Sequence, residues 1–153
     1  ETVQKVSNVP GIVGIKDSSA NMLYFHKLKQ IFETKKEFSL LMGTEELLAE
    51  ALLMGAHGGV PGGANIFPRL YVDLYNAAIR NDIENLLTLQ QKIIYISSTL
   101  YSVSHSEASF IKVVKCILSC KGICTDLMAE PLHPFGNNER SKIKAYLEKL
   151  DIV

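Results

Sequence analysis

Three short apolar segments, each closed by turn residues and separated by stretches of helical periodicity, constrain this 153-residue chain most. They run over Gly11–Lys16, Phe38–Gly43 and Ala56–Ala64. Between the first two, Phe25, Leu28, Ile31 and Phe32 share one helical face, which predicts a helix over about Asn21–Lys36 with Ser18 or Ser19 as its cap. Between the second and third, Thr44 is a candidate N-cap, and Leu47, Leu48, Ala51 and Leu52 stripe a helix that stops at Gly55. Strands alternating with helices demand a parallel sheet with right-handed crossovers, so the fold class is α/β.

The flanks are helical. Glu1 to Asn8 reads as the last turns of a helix and Val9-Pro10-Gly11 as a loop, so the chain reads as starting in the middle of a fold. After Pro68, Phe67, Leu70, Leu74, Ala77 and Ala78 mark one helix, and Asn81 with Glu84 gives a capping-box-like start to the next. There Leu86, Leu89, Ile93, Ile96, Leu100 and Val103 form a seam that wants a partner helix. A further helix covers about Glu107–Cys120 and ends at Gly122. The loop Glu130-Pro131-Leu132-His133-Pro134 leads to a last helix near Asn138–Leu150. The expected organisation is one structural unit: residues 1–68 with three strands and their crossover helices, and residues 69–153 with the remaining helices. Three parallel strands alone leave both sheet edges unpaired and much apolar surface uncovered.

Sixteen basic and sixteen acidic residues cancel, so no electrostatic footprint argues for nucleic acid or an anionic membrane. No apolar run approaches the roughly 18 residues of a membrane span, and Glu1-Thr2-Val3-Gln4-Lys5-Val6 lacks the order of a signal peptide, so a cytoplasmic protein is expected. Cys116, Cys120 and Cys124 are odd in number and contain no CxxC, which favours reduced, packed thiols over disulfides or zinc. His26, His57, His105 and His133 show no metal-ligand spacing, and His57 reads as a locally packed side chain.

Chemistry concentrates in Gly11-Ile12-Val13-Gly14-Ile15-Lys16-Asp17-Ser18-Ser19, where a β-branched run ends abruptly in a lysine. Such a lysine either snorkels from a strand end or sits beside desolvated apolar groups that lower its pKa and make the amine nucleophilic. A second stretch, Gly55-Ala56-His57-Gly58-Gly59-Val60-Pro61-Gly62-Gly63-Ala64-Asn65-Ile66-Phe67-Pro68, is glycine-rich as where backbone approaches something closely. It has neither the G-x-G-x-x-G nor the GK[ST] ending of a phosphate cradle. His57-Gly58-Gly59 is similar to an esterase oxyanion loop, yet no G-x-S-x-G elbow accompanies it.

Together the two stretches resemble the dihydrodipicolinate synthase / N-acetylneuraminate lyase family of class I Schiff-base aldolases. The resemblance covers the whole chain and only the second half of the family's (β/α)8 barrel. It implies that the three strands are the sixth to eighth of a TIM barrel, followed by a C-terminal helical segment. A complete barrel needs roughly 250 residues, so the chain is expected to be a C-terminal half. Lys16 would then form the imine with pyruvate or another 2-oxo acid. Gly43-Thr44-Glu45-Glu46 matches the position after strand seven where lyase-branch enzymes hold substrate hydroxyls; for Glu45 and Glu46 the other reading is helix-dipole complementation. Val60 matches a position whose backbone carbonyl lines the pyruvate site.

Pro61-Gly62-Gly63 departs from the hydroxyl-bearing residues that the synthase and sialic-acid lyase branches place nearby, and points to a sugar-acid aldolase branch. Asn65 resembles a structural family asparagine. The family's tyrosine general acid and paired-hydroxyl motif both fall before residue 1, and Tyr24, Tyr71, Tyr75, Tyr95, Tyr101 and Tyr146 lie in helical patterns. The isolated chain is therefore expected to be inactive. The resemblance implies a 2-oxo acid and an aldehyde as partners, a homo-oligomer, and no metal or organic cofactor, because the lysine supplies the electron sink. The alternative is a non-catalytic helical interaction module led by the Leu86–Val103 seam.

Overall fold

The computed structural model describes residues 1–104 and 109–150. Three parallel strands, β1 (Gly14–Asp17), β2 (Ser39–Met42) and β3 (Gly58–Gly59), form one sheet in the order β1-β2-β3. The α/β class and parallel sheet agree with the sequence reading. The register pairs Lys16 with Leu41 and Leu41 with Gly58, so the C-terminal ends of all three strands open on one side. Each strand is shorter than its apolar segment. Pro10 and Gly11, the latter at φ +89°, hold residues before β1 in a turn, and residues after Gly59 leave the sheet for a 3-10 turn at Gly62–Asn65.

Helix α1 (Thr2–Val6) precedes the sheet, and α2 (Met22–Phe32) crosses from β1 to β2. Its cap is Asn21, whose Oδ1 accepts from Tyr24 N at 3.1 Å, rather than Ser18 or Ser19. Ser19 instead supports the approach to the cap, its hydroxyl accepting from Asn21 N. Phe25, Leu28 and Phe32 are buried as the periodicity requires. The second crossover holds a 3-10 turn (Glu45–Leu47) and the short α3 (Leu48–Leu53). Thr44 precedes the turn without a side-chain capping bond. Gly55, at φ +90°, ends this helix in the left-handed conformation that glycine adopts without penalty. His57 is structural: its N–H donates to Leu40 O at 2.8 Å and its Nδ1 accepts from Leu40 N at 3.0 Å, which extends the β2–β3 pairing.

Helices α4 (Pro68–Ile79), α5 (Ile83–Leu100), α6 (Ser109–Cys120) and α7 (Asn137–Leu150) complete the described fold. The expected start of α6 at Glu107 lies outside the described residues. The α5 cap is Asp82, which accepts from Asn85 N, and not Asn81. Asn81 is left-handed at φ +55° and is spent on ending α4. Leu86, Leu89, Ile93, Ile96 and Leu100 are all buried, and the partner their seam wants is α4 of the same chain. Val103 falls beyond α5, half-buried in a 3-10 turn. Arg140 on α7 holds Asp126 at 2.6 Å and Ser119 at 3.0 Å, tying the last helix to the end of α6.

Strand alternation sorts the sheet's faces. Ile15, Asp17, Leu40 and Met42 point toward the helices, and the last three are buried. Gly14, Lys16, Ser39 and Leu41 form the opposite face, which is more open. Parallel sheets are ordinarily covered on both faces.

Candidate active site

The C-terminal ends of the strands and the turns after them line a cleft of about 570 Å³. Lys16 reaches it from β1, Gly43 to Glu46 from the turn after β2, and Val60 to Gly62 from the turn after β3. Every residue singled out in the sequence, Lys16, Gly43, Glu45, Glu46 and Val60, therefore lies in one place. The parallel register explains this convergence, because it aligns strand ends that are far apart in sequence. Among the described lining residues Lys16 is the one cation, and Glu45 and Glu46 are the carboxylates.

Of the two readings of Lys16, this chain shows the exposed strand-end one: its side chain lies on the open face of the sheet. One close neighbour does define its path. A Cβ on Gly43 would lie 2.6 Å from Lys16 Cε and 2.1 Å from Ser18 Oγ. The lysine passes over the end of β2 through space that a side chain at this position would occupy. Gly43 N also donates to Asp17 O at 2.7 Å, which pins the turn to the lysine-bearing strand.

The two acidic residues of the turn differ. Glu45 is buried at 4% exposure, and its Oε2 accepts from Gly63 N at 2.8 Å. Glu46 is half-buried and accepts a hydrogen bond from Ser97 Oγ at Oε1. Around Glu45 two phenols converge. A Cβ on Gly63 would meet Tyr71 Oη at 2.1 Å, Glu45 Oε2 at 2.7 Å and Tyr101 Oη at 2.9 Å. Burial first, and then the Glu45 carboxylate, push both phenols far above the ordinary tyrosine range, so they stay protonated. Gly62 is crowded in turn by the ring of Phe110, which packs edge-on to Tyr101 with ring centroids 4.6 Å apart.

Tyr71, Tyr101 and Phe110 were not foreseeable as site residues from helical periodicity, which does not say what a helix face meets. The one signal was the Gly62-Gly63 pair: adjacent glycines leave room that other elements must fill. Asn65 is structural here, its Nδ2 donating to Gly62 O at 2.9 Å. Among the described residues no cluster of histidine, cysteine, aspartate and glutamate is arranged to hold a metal, and no helix is long and apolar enough to cross a membrane.

A family model described as the dihydrodipicolinate synthetase family matches residues 1–150. The 4-hydroxy-tetrahydrodipicolinate synthase of Polynucleobacter asymbioticus is 31% identical over the whole chain, which spans 49% of that relative. Among solved structures, the dihydrodipicolinate synthase of Bacteroides thetaiotaomicron is 48% identical with a TM-score of 0.91, over 97% of this chain and 50% of the other. The N-acetylneuraminate lyase of Fusobacterium nucleatum, at 18% identity and a TM-score of 0.75 over 91% and 45%, shares the fold. The chain thus spans about half the length of the synthases and lyases it matches here.

Proposed function

This chain belongs to the dihydrodipicolinate synthetase family, and on that premise we propose that it is the lysine-bearing half of a Schiff-base aldolase or lyase acting on pyruvate or another 2-oxo acid. The observation that carries the reading is the shared cleft: Lys16 at the mouth of β1 lines it together with the Glu45–Glu46 turn and Val60. In this reading β1, β2 and β3 are the sixth, seventh and eighth strands of the barrel. The open face of the sheet, with Lys16 exposed on it, is then the face the other strands enclose.

The chemistry follows from the amine. The unprotonated Lys16 Nζ attacks the keto carbon, a C–N bond forms, and the carbonyl oxygen leaves as water to give an iminium. Loss of a proton, or of an aldehyde, from the adjacent carbon delivers an electron pair to the iminium nitrogen and yields the enamine. Attack of the enamine on an aldehyde runs the step in reverse. The nitrogen is the electron sink, so the scheme calls for no metal or organic cofactor. Glu46 and, behind it, Glu45 serve the hydroxyls of the aldehyde portion, and the Val60 carbonyl borders the 2-oxo acid. Proton transfer and carboxylate binding fall to the other half of the barrel. The isolated chain is therefore inactive, and the intact enzyme is a homo-oligomer. The interaction-module alternative loses its main support, because the α5 seam is filled by α4.

The test is Lys16→Arg in the full-length protein. Arginine keeps the positive charge and is not a nucleophile at neutral pH. Pyruvate-dependent condensation or cleavage should fall by on the order of 10⁴-fold or more, as when a covalent nucleophile is removed. Activity within about tenfold of wild type would overturn the proposal.

A further inference from the structure

Gln90 lies on α5, outside the cleft, and its amide is committed to the turn that carries the two acidic residues and to the start of α3. Its Nε2 donates to the carbonyls of Glu45 and Glu46, both at 3.0 Å, and its Oε1 accepts from Ala49 N at 3.0 Å. The pattern fixes the orientation of the amide, since a flip would set oxygen against two carbonyls and nitrogen against an N–H. Ser97, two helical turns further along α5, donates to Glu46 Oε1. One helix thus holds the turn by its backbone and the Glu46 carboxylate by its side chain.

Packing alone does not account for this. Gln90 is 4% exposed, and its amide satisfies three backbone groups at this contact. A buried amide with three satisfied bonds specifies position as well as burying surface. Thr44 makes no side-chain capping bond at the start of the turn, so the Gln90 contacts add to the Gly43–Asp17 bond in holding it. Beside the turn Gly62 and Gly63 present no side chains, and the space next to them is taken by Phe110, Tyr71 and Tyr101. Discrimination of a hydroxylated aldehyde then rests on the Glu45–Glu46 turn, where a displacement of about 1 Å is expected to be costly.

We infer that Gln90, with Ser97, is a positioning residue that sets specificity for a hydroxylated aldehyde by holding Glu46 in place in the cleft that Lys16 enters. The inference rests on the aldolase reading above. Its test uses the full-length protein with pyruvate and either glyceraldehyde or propanal, and reads kcat/KM for each, together with the pyruvate adduct trapped on Lys16. Gln90→Leu and Ser97→Ala should each lower the glyceraldehyde-to-propanal ratio by about tenfold through KM for glyceraldehyde, with the Lys16 adduct unchanged. A merely structural role would lower stability and leave the ratio alone. Should Gln90→Leu fail to fold, Ser97→Ala, which removes a single hydroxyl, decides the matter. An unchanged ratio, or a wild type with no preference for glyceraldehyde, overturns the inference while leaving the lysine chemistry standing. A wild type that forms no pyruvate adduct overturns both.

Discussion

At the scale of single residues, the cleft is shaped as much by side chains that are missing as by those present. Gly43→Ala places a methyl group 2.6 Å from Lys16 Cε, so the amine must leave its path. The full-length variant should fold and lose about 10²-fold in the rate of pyruvate adduct formation, measured by timed borohydride quenching. Wild-type rates would mean the lysine has another route into the cleft. The phenols beside Gly63 carry a pH signature. Their protonated form is favoured in the folded state, so the unfolded chain releases these protons first, near pH 10. Stability from this source is complete below that pH and falls as pH rises above it. Tyr101→Phe removes one such group and should flatten the alkaline loss of stability above about pH 10, read by urea denaturation at stepped pH. An unaltered slope would place the phenol in contact with water.

At the scale of elements, the alternation of three apolar segments with helical stripes was enough to read the parallel sheet, because burial of Phe25, Leu28, Leu48 and Leu52 imposes the same spacing the sequence displays. Boundaries were less legible. Asn81 and Asp82 both have capping side chains, and only the left-handed turn at Asn81 decides that Asp82 starts α5. Asp82→Ala should cost about 1 kcal/mol, while Asn81→Gly should cost little, since glycine accepts positive φ; thermal unfolding of the two variants compares them, and the reverse order would contradict the assignment. The site was legible where it lies on strand ends and turns, as with Lys16, Gly43, Glu45, Glu46 and Val60. It was not legible where helices contribute, because Tyr71, Gln90, Ser97 and Tyr101 belong to faces whose partners depend on how the helices pack.

At the scale of the whole molecule, the helices and one face of the sheet form a continuous core, whereas Lys16 stands exposed on the other face, with Val13 just before β1 at 71% exposure. A lysine needs a shielded seat to be unprotonated and nucleophilic near neutral pH. This chain supplies the amine, its path past Gly43 and the acidic turn in the same cleft, and in the proposed reading the rest of the barrel supplies the shielding. The most direct measurement is pyruvate with borohydride on the full-length protein and on this chain alone, read by intact mass and peptide mapping. One reduced pyruvate adduct is expected on Lys16 of the full-length protein and none on the isolated chain. An adduct on a different lysine, or no adduct on the full-length protein, would contradict it.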